Sequence, residues 1–283
     1  MKTSRSASRR FCGVAGPLAG LALMLGFPSA GSAQLRPLSP LDWYAIDALR
    51  PISIGVGLGT LQNQPASLAG TQGDLLELGR FHLVWWSGRM GIEAEGTLYR
   101  RFEDEVVLRP PAPGTDPVSG SARTDAGDVV ASTVIRLSQP LSRFTAALRF
   151  STRLPTTSDE PGLERDRTDF FATLAGRYRW GRVSVGGESG VGILGTRVDG
   201  VDQLDVLTFA AFVDYRMGPV TAIGTIVGQD DVHLGATRGN EDLSEVRIGV
   251  RAGDRVWVAA TAVRGIARFS PGGGLLLMMG IRR

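Results

Sequence analysis

The sequence predicts an all-β chain folded as a transmembrane up-and-down antiparallel β-barrel of about twelve strands. Three observations carry this reading. Apolar and polar residues alternate in segments of roughly ten residues, the signature of membrane-spanning barrel strands. Long and short connections take turns along the chain, and aromatic residues gather near the segment ends. No run of about 18 apolar residues occurs beyond the N-terminal region, so transmembrane helices are excluded there.

The first 33 residues read as an export signal. Lys2, Arg5, Arg9 and Arg10 form a charged region ahead of the apolar stretch GVAGPLAGLALMLGF. SAGSAQ then supplies small residues for cleavage after Ala33. Cys12, the single cysteine, lies ahead of the apolar stretch and leaves with the signal, so the mature chain has no disulfide. Residues 34–50 form an N-terminal segment, periplasmic or folded into the barrel as a plug. Within it LSPLDWYAIDALRP suggests a short helix, with Asp42 as cap and Pro51 as stop.

Residues 51–283 are the barrel, with strands expected at 51–59, 75–86, 90–102, 128–138, 143–154, 169–180, 182–196, 205–216, 219–228, 243–252, 255–265 and 274–282. The first connection, TLQNQPASLAGTQGD, reads as a long polar loop. The tight SGR turn comes next, then the long EDEVVLRPPAPGTDPVSGSARTDAG, and the pattern repeats through QPLS, WGR, MGP and AGDR on the short side. Outer-membrane barrels place long loops outside and short turns on the periplasmic side, so both termini are expected in the periplasm.

The faces agree with a wet interior. In FTAALRFSTRL, Phe144, Ala146, Leu148 and Phe150 oppose Arg149 and Arg153 across the pleat. Arginine on a lipid face costs about 2–4 kcal/mol near the bilayer midplane, so the charged set must point inward. Lumen-lining candidates are Glu93, Glu95, Arg149, Arg153, Asp169, Arg177, Glu188, Asp214, Arg247 and Arg251. Trp85, Trp86, Trp180, Tyr215 and Trp257 fall beside short turns, and Tyr99, Phe102, Phe150 and Phe170 beside long loops, where interfacial aromatics belong. The implied partners are membrane lipid, the outer-membrane assembly machinery and a small-molecule solute.

Other chemistries find little support. The formal net charge is +3 with arginines scattered among carboxylates, so no nucleic-acid footprint appears. The two histidines, His82 and His233, have no serine placed for a dyad, which argues against an enzyme. EDE at 103–105 and VDGVDQLD at 198–205 lack the spacing of a calcium loop, and no cofactor motif is present.

One stretch has a familiar cadence. RFSTRLPTTSDEPGLERDRTDFFATLAGRYRWGRVSVGGESGVGILG, residues 149–195, resembles outer-membrane proteins of the meta-pathway phenol-degradation, or putative transporter, family. Arg153-Leu154-Pro155-Thr156 matches the family's basic-Leu-Pro-Thr opening, Asp169 its strand-leading Asp, and Gly181-Arg182 its turn. Thr157 replaces the usual glycine. The resemblance implies a channel or transporter for small, often aromatic or hydrophobic, molecules. The alternative is a non-transporting structural or partner-binding barrel. The chain ends GGGLLLMMGIRR, without the terminal aromatic residue by which assembly machinery commonly recognises such barrels.

Overall fold

A computed structural model describes residues 35–47, 51–108, 110–111, 122–139, 142–156, 161–164, 166–195, 203–231 and 242–283. The expected export signal, Cys12 and His233 lie outside the described residues. One short helix, α1 (Trp43–Asp47), precedes thirteen strands: β1 (Ile52–Ala66), β2 (Thr71–Ser87), β3 (Met90–Val107), β4 (Arg123–Asp125), β5 (Val129–Arg136), β6 (Phe144–Leu154), β7 (Asp169–Trp180), β8 (Val183–Gly195), β9 (Gln203–Met217), β10 (Val220–Asp231), β11 (Leu243–Ala252), β12 (Val256–Gly265) and β13 (Gly273–Arg282).

Each strand pairs antiparallel with its neighbours, and β1 pairs with β13 from Ser53–Arg282 to Gln62–Gly273. That seam closes the sheet into a twelve-stranded barrel. The thirteenth segment, β4, pairs only with β3, along the same edge that β5 occupies lower down. Closure is obligatory because an unpaired backbone group costs several kcal/mol in hydrocarbon. Short turns join β2–β3, β7–β8, β9–β10 and β11–β12. Their Gly88, Gly181, Gly218 and Gly253 take positive φ, a conformation that glycine adopts without steric cost.

The outer face is an apolar band. Ile54, Val56, Leu58, Phe150, Leu174, Val191, Leu207, Val213, Ile248, Val258, Leu277 and Met279 all project outward and exposed. The alternate positions hold buried polar side chains such as Ser132, Thr145, Ser151, Thr173 and Thr208. With this exterior, the protein is an outer-membrane β-barrel whose annulus contacts lipid.

Four features differ from expectation. First, TLQNQPASLAGTQGD is mostly strand, with only Ser67–Gly70 outside β1 and β2. The polar residues belong to a ladder continuing above the membrane, where pairing needs no apolar face. A register shift between Leu61 and Gln64 accommodates Asn63 at positive φ. Second, β3 and β10 run past their expected ends at 102 and 228. Third, β4 is an additional strand within the expected long loop. Fourth, Trp86, Trp257 and Phe102 turn inward and are buried instead of joining the interfacial belt. Their neighbours Leu83, Trp85, Val256 and Val258 occupy the lipid face, and alternation sends the next residue in.

The inward rings rest on glycine. Trp86 stands opposite Gly91, Phe171 opposite Gly192, Phe212 opposite Gly186, and Trp257 opposite Gly280. A Cβ at any of these glycines would come within 2.5–2.8 Å of ring carbons. The close approach lets a large ring lie flat against the wall, a cross-strand pairing of aromatic and glycine that fixes register.

Ile248 sits midway along β11 and is 68% exposed on the lipid face. Ile248→Arg is expected to destabilise the barrel by about 2–4 kcal/mol, measured by urea unfolding in lipid vesicles. Thr208→Arg, on the lumen side, should not show that depth-dependent lipid penalty.

Candidate functional site

The lumen is occupied by residues 35–47. Ile46 lies toward the short-turn end, among Val84, Trp86 and Val134, and Leu35 toward the long-loop end, among Leu61, Leu75 and Phe102. The segment's side chains alternate between apolar seats and charged wall groups.

At the short-turn end Asp42 caps α1, accepting hydrogen bonds from Tyr44 N at 2.9 Å and Ala45 N at 3.2 Å. The cap is the one expected from the sequence, and residues 38–41 before it, expected to be helical, are not. Leu41, Trp43, Ala45 and Ile46 pack against Val84, Trp86, Val134, Ala147, Ala175 and Phe212. The Arg136 guanidinium donates to Ile46 O at 3.1 Å and lies 5.6 Å from the Trp86 ring. Arg177 covers the Trp43 ring at 5.2 Å.

Above this level, Arg149 joins wall to segment. It donates to Ser39 O at 2.6 Å and to Ser132 Oγ at 3.3 Å. It also lies 3.5 Å from Glu188 and 3.6 Å from Glu93. Glu188 in turn accepts a hydrogen bond from Leu41 N at 3.0 Å, and Glu95 takes one from Ser39. Leu38 then seats among Val130, Phe171, Leu194, Leu204 and Val206.

A second ionic layer surrounds Arg36. Its fork binds Glu245 bidentately, at 2.7 and 3.1 Å, and Glu77 stands 4.0 Å away. Glu77 also pairs with Arg80 and with Arg100, the latter at 3.1 Å, and Glu245 accepts from Arg247 at 2.8 Å. Glu77 and Glu245 are fully buried, and these cations compensate their charge. At the top, Leu35 packs with Leu61, Leu75, Phe102, Leu163 and Leu276.

The long-loop end is capped by the chain after β6. Leu163 is fully buried in the Leu35 cluster, and Glu164 binds Arg100 at 2.5 Å. Arg123, paired with Asp104 at 2.8 Å, donates to Pro161 O at 3.0 Å. Burial pushes the Glu164 carboxyl up to about 7, with Asp128 adding to the rise while Arg100 and Arg153 oppose it.

All ten candidate lumen residues face inward. Arg153 meets Asp169 at 3.4 Å, as the β6–β7 register requires. Asp214 is buried on β9, and Arg251 stacks on Trp257 at 3.9 Å, with Asp42 3.7 Å from its guanidinium. Sequence reasoning missed Arg36, Glu77, Arg80, Arg100 and Glu164. Gly79, at positive φ, inserts a bulge that puts Glu77 and Arg80 on one face three residues apart, which strict alternation does not anticipate. A glycine inside a strand pattern was the available signal. Arg36 and Glu164 lie outside strands, where no period applies.

Spaces remain beside the segment, one of about 70 Å³ among Arg36, Glu77, Arg80, Arg100 and Glu164. A cavity of about 270 Å³ opens between residues 39–44 and the walls of β2, β3 and β9–β13. Trp43, Tyr44, Phe212, Trp257 and Met278 give it apolar surfaces, and Arg80, His82, Arg247 and Arg251 give it polar ones. Among the described residues, no cluster of His, Cys, Asp and Glu suits a metal ion.

A closed barrel with an apolar exterior and a charged, segment-filled interior defines an outer-membrane β-barrel. The chain is similar in structure to the COG4313 outer membrane channel from Pseudomonas putida F1, with a TM-score of 0.62 at 12% identity, covering 87% of this chain and 100% of that one. The outer membrane channel DcaP of Acinetobacter baumannii aligns over 82% of this chain and 96% of its own, at 10% identity and a TM-score of 0.43. No protein-family model and no curated protein sequence matches. The likeness to the Pseudomonas channel agrees with the fold.

Two outcomes test this interior. Arg149→Met leaves Glu93 and Glu188 without their shared cation and is expected to cost about 3–5 kcal/mol in vesicle unfolding. Adding Glu188→Gln should restore part of that loss. The Glu164 carboxyl titrates near 7 when docked and near 4.5 in water, so the docked loop binds more protons. Its contribution to docking is full below the lower value and is lost as pH rises through the higher one. Amide hydrogen exchange in residues 162–164, corrected for intrinsic rate, should therefore be faster at alkaline than at mildly acidic pH, and Glu164→Gln should remove the difference.

Proposed function

We propose that the protein is an outer-membrane channel for small molecules in which residues 35–47 occlude the lumen and set its conductance. The observation that supports this most strongly is the cavity left beside the segment. Its aromatic walls suit the apolar body of a small solute, and arginines flank it. Aromatic or hydrophobic cargo, and membership of the meta-pathway phenol-degradation type, rest on the resemblance at residues 149–195. No covalent step and no cofactor enters this reading. Solute moves when residues 42–44 yield at the short-turn end, where Tyr44 lies against Arg251 and Arg282 and Asp42 is 3.7 Å from Arg251, while the bidentate Arg36–Glu245 pair nearer the long-loop end holds. For assembly, Leu275, Leu277, Met279 and Ile281 on β13 offer the outward apolar row that stands in for a terminal aromatic.

A second reading, a non-conducting structural barrel, draws on the ionic layer around Glu77 and Glu245. Planar-bilayer recording separates the two. The channel reading expects small, flickering conductance from the full chain and a several-fold larger, steadier conductance once residues 35–47 are deleted. Arg36→Ala should fall between them. Silence in the full chain, with solute flux absent from vesicles, would favour the structural role.

A further inference from the structure

The short-turn end carries an arrangement that neither the lumen nor solute passage uses. Six stations lie around this rim: the four tight turns, the β5–β6 connection, and the paired ends of β1 and β13 at Ile52 and Arg283. Every station bears an exposed arginine. Arg89, Arg143, Arg182 and Arg255 each sit one residue before an upward strand, β3, β6, β8 and β12. Their carbonyls accept the same rim hydrogen bond, from Arg136, Arg179, Arg216 and Arg282 respectively. The equivalent position is Pro51 before β1 and Pro219 before β10, and there Arg283 and Arg216 supply the charge. Asp254, 3.6 Å from Arg216, is the acidic side chain among the described residues of these turns. The opposite end mixes signs, with exposed Glu103, Glu105 and Asp230 beside Arg101, Arg264 and Arg268.

Adjacent side chains fix the height of the collar. Met90, Phe144 and Val256, each the residue after a collar arginine, are exposed lipid-facing side chains, and Trp180 beside Arg182 is 77% exposed. One residue spans about 3.3 Å of strand, so the guanidinium groups lie just beyond the edge of the hydrocarbon. That is the depth of phospholipid phosphates. Guanidinium binds phosphate by paired donors, and an arginine side chain is long enough to turn from a rim position toward the headgroups.

We propose that this arginine collar is a binding surface for anionic phospholipid in the periplasmic leaflet, holding phosphate groups around the whole rim. Lipid bound there bridges neighbouring turns that the sheet itself leaves unconnected. The inference is independent of the channel reading, since the collar lies at the rim, beyond the segment-filled interior.

The test uses the full chain purified in detergent and offered equal amounts of phosphatidylglycerol and phosphatidylcholine, with retained lipid counted by native mass spectrometry. Wild type should prefer phosphatidylglycerol by about fivefold for each arginine engaged, and high salt should reduce the preference. The variant R89Q/R143Q/R182Q/R255Q should lose it, while R101Q/R264Q at the other end should keep it. All four collar side chains are exposed and leave the backbone ladder untouched, and heat-modifiable migration on gels confirms that the variant has folded. No preference in wild type, or an equal preference in the collar variant, would overturn the proposal. Full displacement of the lipid by equimolar glycerol 1-phosphate would also overturn it, by marking a site for soluble phosphate compounds instead of membrane lipid.

Discussion

Backbone hydrogen bonding in a medium without water is the constraint on which the rest of this structure depends. Every N–H and C=O crossing the hydrocarbon must find a partner, and a sheet satisfies them all only by meeting its own edge. The β1–β13 seam is that meeting, and ten paired positions from Ser53 to Gln62 secure it. Closure divides the side chains strictly in two. One set faces acyl chains and must be apolar, and the other faces an enclosed space that apolar residues alone would not require.

The enclosed space raises a second problem, because the charges placed there cannot all reach bulk water. The chain solves it by sending in its own residues 35–47. Arg36 neutralises Glu245 and shares Glu77, while Asp42 faces Arg251 and the Ser39 carbonyl accepts from Arg149. Removing one member of such a group costs more than the group contributes net, since the remaining charge is stranded. The segment is therefore held by the wall, and the wall's charges are satisfied by the segment. Apolar seats at Leu35, Leu38 and Leu41 alternate with these ionic contacts and keep the layers from sliding past one another.

Much of this was legible in the sequence, for a physical reason: a membrane enforces period-two alternation more strictly than a protein core does. Arg149, Arg153 and Arg177 announced the inner face because no arginine could sit opposite them on the lipid side. Legibility failed where that enforcement lapses. Gln62, Asn63 and Gln72 continue the sheet in water, where polar composition imitates a loop. Trp85 and Trp86 are adjacent and cannot both face lipid, so phase decides, and Leu83 set it. Gly79 shifts the phase again and hid the Glu77–Arg80 pair. Arg36 and Glu164 belong to irregular chain and are placed only by the cavity they fill.

The most direct test of the account is to find what Leu38 touches in the assembled protein. Leu38 is buried among Phe171, Leu194 and Val206. With p-benzoylphenylalanine at position 38 in the full chain folded into lipid vesicles, light should produce an internal crosslink to peptides from β7, β8 or β9. A crosslink to lipid, or a free segment open to added protease, would place residues 35–47 outside the barrel and contradict the account.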